Sequence, residues 1–232
     1  MFINYLESIP AAIAQGIIWG IMAIGVYITY KVLDIADLTV DGSICTGAAV
    51  CAVLTINGAP MWLALIAAML AGMITGFITG LFHTFMGIPA ILAGILTQLI
   101  LYSANLKILG AANKALPPQR YNLIITRLEV YKTLFILAIA CIIIIGLLYM
   151  FFGTEFGSSI RATGANLVMS RAQGINTDKT KIFGLALSNG FVALSGAFLC
   201  QYQGNADINM GKGAIVIGLA AISGICLVST LL

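Results

Sequence analysis

Four stretches of the chain, Ile9 to Tyr30, Met61 to Phe82, Val130 to Phe152 and Ile182 to Gln203, stay apolar over about the 20 residues that a helix needs to cross a hydrocarbon core of roughly 30 Å. Each predicts a membrane span. The segment IAQGIIWGIMAIGVYITY is apolar on all sides, whereas a transmembrane strand alternates apolar and polar residues, so the spans are helices and not strands of a barrel. Composition excludes a soluble domain: 8% of the residues are charged and 61% hydrophobic, against roughly 25% charged in soluble proteins. The predicted fold class is all-α, a polytopic helical membrane protein forming one transmembrane domain over residues 1–232. MFINYLESIP has no basic flank of the signal-peptide type, so the first span is expected to be retained. A net charge of +3 makes no case for nucleic acid.

Shorter apolar segments bring the expected total to about six to eight membrane segments, some broken or re-entrant. Ser43 to Ile56 follows the loop KVLDIADLTVDGS and leads to the turn NGAP. GIPAILAGILTQLILYSANLKILG starts at a proline and carries Asn105 near its end, so it reads either as a full span or as a broken one. The decapeptide GNADINMGKG reads as a polar turn before a last apolar segment. Small residues recur at spacing four in Ala12, Gly16 and Gly20, in Gly72, Gly76 and Gly80, and in Ala186 and Gly190. Such stripes let membrane helices approach closely, within one chain or between subunits.

Chemistry is sparse. Gly211-Lys212-Gly213 lacks the upstream glycine and the Ser or Thr of a nucleotide-binding loop, so the chain is expected to be no enzyme and to bind no cofactor itself. The one histidine, His83, ends a span and reads as interfacial; no metal site is expected. Five cysteines without CxxC spacing read as packing residues. Asp34, Asp37 and Asp41 would share a helical face and could form a cation site, but Gly42 and Ser43 favour Asp41 as the cap of the next helix. The polar residues assigned to spans are all neutral: Thr97, Gln98, Ser103, Asn105, Ser188, Asn189, Gln201 and Gln203. They suit interhelical hydrogen bonds or the lining of a solute path, for which Thr97, Gln98, Asn105, Ser188 and Asn189 are the candidates. Their neutrality weighs against an ion-coupled carrier.

The polar exception is RATGANLVMSRAQGINTDKTK, Arg161 to Lys181, inside a loop of about residues 153–181. The pattern predicts a short helix over Ser158 to Gln173 and a stop at Gly174. A new helix then starts, capped by Asn176 or Thr177, with Asp178 in its first turn. A helix, a glycine hinge and a fresh span make a surface suited to a partner whose movement passes into the membrane. With this loop cytoplasmic and five segments before it, the N-terminus lies outside and Lys31 inside, as the positive-inside rule asks. The stretch Lys107 to Lys132 dissents, since Lys107, Lys114, Arg120, Arg127 and Lys132 would lie outside.

The run from Arg161 to Gly204 resembles the cytoplasmic coupling region of bacterial ABC importer permeases of the branched-chain amino acid and ribose group. Arg161 to Asn166, Arg171 to Asn176 and Ala193 to Ala197 carry the likeness. DLTVDGS (Asp37 to Ser43) and Gly87 to Gly110 resemble the subgroup paired with lipoprotein binding proteins and linked to aromatic amino acids. The resemblance implies a permease subunit of an ATP-driven importer for amino acids or related solutes, in a bacterial cell membrane. Its implied partners are a cytoplasmic ATPase that holds ATP and Mg, an external solute-binding lipoprotein, a second copy of the permease and membrane lipid. It assigns Arg161, Gly164, Asn166, Arg171, Ala172, Gly174 and Asn176 to ATPase coupling, and the Lys107–Lys132 stretch to the binding protein. Relatives continue past GKGAIVIGLAAI with an acidic residue and further spans, whereas SGICLVSTLL ends this chain. A truncated, non-transporting membrane subunit is therefore one alternative expectation. A secondary carrier or channel is the other.

Overall fold

The computed structural model describes residues 2–117, 121, 123–126 and 129–231, so Arg120 and Arg127 of the basic stretch lie outside it, as does the side chain of Cys226. The helices are α1 (Phe2–Tyr27), α2 (Val40–Ile56), α3 (Met61–Thr84), α4 (Ala90–Leu109), α5 (Val130–Phe152), α6 (Glu155–Ala165), α7 (Leu167–Ala172), α8 (Thr177–Gln203) and α9 (Ala214–Leu231). A π-helical turn, Ile28–Val32, extends α1. Among the described residues five helices, α1 with its π turn, α3, α4, α5 and α8, are long and apolar enough to cross a membrane, and α2 and α9 contribute shorter apolar segments. The Gly87–Gly110 region is one continuous helix, closed at Gly110 in the left-handed conformation, and does not break at Asn105.

Helix α8 is the axis of the bundle, and its composition explains why. Gly184, Ala186, Ser188, Gly190, Ala193, Gly196 and Ala197 are small, so neighbours can reach its backbone from several sides. On one side lies the glycine stripe of α3: a Cβ on Gly72 would overlap the Asn189 carbonyl, and one on Gly76 would overlap that of Leu185. On another lies α2, where a Cβ on Gly47 would overlap the Ala193 carbonyl and one on Gly196 that of Ile44. α1 closes a third side through Gly25, 2.9 Å being all that a Cβ would find to the Ser188 oxygen. Thus the Gly72 stripe serves packing within the chain, as does Gly190 against Met73. Gly16 and Gly20 meet nothing within 4 Å. Helix α5 lies at the periphery, with Ile142 69% exposed and Tyr149 85% exposed.

Two connections leave their expected places. Residues 33–39 turn back into the bundle without helix, so Asp34, Asp37 and Asp41 do not share a helical face. Asp34 is exposed, Asp37 is 4% exposed, and Asp41 lies in the first turn of α2, whose N-cap is Thr39. Asp41 instead caps the start of α9: its carboxylate accepts from the amides of Gly213 and Ile215, each at 3.0 Å. The decapeptide after α8 forms a strand, β2 (Asn205–Asp207), paired antiparallel with β1 (Asn113–Ala115) after α4. It then descends along α2, with the Cys45 thiol donating to the Ile208 carbonyl at 3.1 Å and receiving the Gly211 amide at 3.2 Å. α2 rises about 1.5 Å per residue, so Asp41 sits roughly 24 Å along the helix axis from the turn at Asn57. Ser43, two residues on, donates to Asn189 in the middle of the 27 residues of α8, so α2, and α9 whose start Asp41 caps, begin level with the middle of that span.

Candidate functional site

The depth reached by these two connections gathers polar side chains. Asp37 accepts from the Thr39 amide at 2.8 Å and from Asn189 Nδ2 at 2.7 Å. Ser43 donates to Asn189 Oδ1 at 2.6 Å and meets the Thr75 hydroxyl at 2.8 Å. Thr39 meets Thr79 at 2.8 Å, and Thr79 meets Thr97 at 3.0 Å. One chain of hydrogen bonds so joins the 33–39 segment to α2, α3, α4 and α8. Ser188 donates to the Gly25 carbonyl at 2.7 Å and ties α8 to α1. Thr97, Ser188 and Asn189, at 1%, 0% and 0% exposure, are thereby engaged between helices.

Gln98 and Asn105 border open space. They line a cavity of about 370 Å³ between α2, α4 and the turn segment that descends from β2, together with Asp41, Cys45, Tyr102 and Lys212. Asn105 is 1% exposed; its Nδ2 donates weakly to the Gly42 carbonyl at 3.4 Å and its Oδ1 has no partner. Asp41, Asp37 and Lys212 correct the expectation that the membrane interior holds neutral groups only. They were hidden because DLTVDGS and GNADINMGKG have the polarity and glycine content of outside loops. With them goes the composition argument against an ion-coupled carrier.

At the opposite end of α8 stands the α6–α7 module. The predicted single helix over Ser158 to Gln173 is two helices, because Asn166 leaves helical geometry (φ −158°, ψ 106°) and its Oδ1 accepts from the amides of Val168 and Met169, both at 3.0 Å. Gly174 takes φ 82°, as a helix stop requires. Asn176 caps α8 by accepting from the Lys179 amide at 3.2 Å, with Asp178 in the first turn. Arg171 is not a free charge: Nε donates to Thr177 Oγ1 at 2.8 Å and a terminal nitrogen to Asp178 at 3.1 Å, bracing α7 on α8. Arg161 donates to the Phe152 carbonyl at 2.6 Å and lies over the Phe152 ring, bracing α6 on α5. A Cβ on Gly164 would overlap the Val32 carbonyl, so α6 seats directly on the π turn of α1. That contact also puts Lys31 at the same end as the loop. Ala172 is exposed, and α7 presents Leu167, Val168 and Met169 outward at 40%, 80% and 58% exposure, a patch that residue-type spacing alone did not single out.

Residues 8–232 match the family model described as branched-chain amino acid transport system / permease component. The chain is 39% identical over 225 residues to a tyrosine transport system permease protein of Clostridioides difficile, covering 94% of this chain and 72% of that protein. It is 36% identical over 217 residues to an uncharacterized protein of Rickettsia prowazekii, covering 94% and 76%. A shorter likeness, 31% identity over 86 residues, joins it to a xylose transport system permease protein of Haemophilus influenzae, covering 37% and 23%. No solved structure matches the chain.

Proposed function

We propose, from the premise that this chain belongs to the branched-chain amino acid transport system permease-component family, that it moves an amino acid inward while a separate subunit hydrolyses ATP. The chain is the permease subunit of an ABC solute importer, a multi-pass membrane protein. Its solute is an amino acid of the aromatic type, in keeping with the tyrosine permease of Clostridioides difficile. It works in a bacterial plasma membrane with a second copy of itself, a cytoplasmic ATPase and an external solute-binding lipoprotein. The chemistry of ATP and Mg belongs to the ATPase.

The observation that carries this reading is the α6–α7 module, an exposed apolar patch mounted on braces that each reach a different span. The ATPase docks on Leu167, Val168 and Met169. Its movement enters α8 through Arg171, Thr177 and Asp178, α5 through Arg161, and α1 through Gly164. From the π turn the chain runs within seven residues to the Asp37–Asn189 network and the inner end of α2. The path thus ends at the mid-membrane cavity. A differential contact at the patch is what lets ATP binding shift the equilibrium between the two access states.

Because Arg171 holds the module together, Val168 is the cleaner probe of docking. Tagged chain purified in mild detergent is expected to bring an ATPase subunit with it. Val168→Asp, which replaces an 80% exposed side chain, is expected to lose the ATPase with thermal unfolding unchanged. Equal recovery by both forms would place docking elsewhere, and no ATPase with either would remove the importer reading.

A further inference from the structure

We infer that the cavity between α2, α4 and the segment before α9 is a binding site for a zwitterionic α-amino acid with an apolar or aromatic side chain. This rests on the importer reading and goes beyond it, by assigning recognition to the permease chain.

The first observation is depth. Asp41 lies two residues before Ser43, which donates to Asn189 in the middle of α8, and Lys212 is next to Gly213, whose amide donates to Asp41. Lys212 is nonetheless exposed in this single chain. A charged ammonium near the bilayer centre costs several kcal/mol if lipid surrounds it, so such groups face a bundle interior or a water-filled path. The open side of the cavity therefore faces a path and not acyl chains.

The second observation is the set of groups. The Asp41 carboxylate takes two backbone amides but keeps free lone pairs. Asn105 Oδ1 is buried and unpartnered. Turning that amide over would set its oxygen against the Gly42 carbonyl, which can only accept, so the orphan is an acceptor. A buried acceptor left unmade costs about 1–3 kcal/mol, and it is relieved when a donor enters. An α-ammonium is such a donor, and Asp41 balances its charge. Lys212 offers three donors to the carboxylate of the same molecule. Ile95, Leu99, Tyr102 and Ile208 supply the apolar wall for a side chain. A volume of about 370 Å³ sits at the lower end of the roughly 300–1,000 Å³ usual for small-molecule sites. The larger cavity between α1 and α5, about 600 Å³, holds one charge, Arg161, and that is already spent on the Phe152 carbonyl.

The test is direct binding to the full chain in lipid nanodiscs, read by calorimetry, with L-tyrosine, L-phenylalanine and L-leucine as probes. The amine and the acid that lack one end of each probe accompany them. At least one amino acid should bind, its amine and acid forms about ten- to hundredfold more weakly. Lys212→Met should bind the amino acid no better than the amine, and Lys212→Arg should restore the difference. Asn105→Leu should lose binding while unfolding at the same or a higher temperature, because it removes an unsatisfied group; a merely structural Asn105 would do the opposite. Wild type that binds none of the probes, or variants that bind like wild type, overturn the site. Uptake of the same amino acids by cells complemented with the chain separates the two claims. Uptake without binding overturns the cavity alone, and neither uptake nor binding overturns the importer reading as well.

Discussion

A single methyl group distinguishes two glycines that look alike in the sequence. Gly76 leaves no room for a Cβ beside the Leu185 carbonyl, whereas Gly16 has open space. Gly76→Val is expected to cost about 1–3 kcal/mol through overpacking of α3 on α8, and Gly16→Val less than about 0.5 kcal/mol. Thermal unfolding in mild detergent measures both; equal effects would mean that α3 and α8 are not seated as described. At this scale the sequence showed whatever is decided by near neighbours. Asn176 caps α8 because the amide that donates to its side chain lies three residues away, and Gly174 stops α7 for an equally local reason. The Asp37–Asn189 bond joins residues 152 apart, so no window of sequence contained it. The same holds for Asp41, whose local pattern suited a cap of α2 while its carboxylate capped α9.

Among elements, α7 is the one whose existence rests on a single side chain. It has six residues, too few to persist alone, and Asn166 Oδ1 accepts from two of its first amides. Asn166→Ala is expected to cost about 1 kcal/mol, confined to the module. Hydrogen exchange should speed up over residues 167–172 and not in α8, and solute uptake should fall while the chain stays folded. Uniform exchange changes would show that Asn166 stabilises more than α7. The split between α6 and α7 falls at Asn166, and residue type hides it because Arg161 to Arg171 has helix-forming residues on both sides. Spans α1, α3, α5 and α8 were legible, since twenty apolar residues leave the backbone no other way to satisfy its hydrogen bonds in lipid, while α4 read as either a full or a broken span. The half-length helices α2 and α9 were legible as apolar segments only; their mid-membrane beginnings depend on what α8 offers them.

For the whole molecule, the proposed orientation makes a direct statement. Helix α8 has 27 residues and so is about 40 Å long, with the α6–α7 module at one end and the β1–β2 pair at the other. Ala111→Cys should react with an impermeant thiol reagent from outside intact cells, and Ser158→Cys only after the membrane is opened. Reaction of both from one side would refute the topology, and reversed sides would invert it. Membrane residence, the helical class, the glycine stripes and the capped loop follow from residue type and spacing, because lipid imposes the same demand on every backbone amide and caps act within one turn. Which stripe meets a neighbour, which carboxylates enter the bilayer and where an amide oxygen is left wanting a donor depend on contacts between distant segments. Gly76 against Leu185, Asp37 against Asn189 and Asp41 against Gly213 exist because α8 is small-sided enough to draw α1, α2 and α3 onto its backbone. That packing folds two polar connections inward and makes the cavity, and it could arise only once the helices had met.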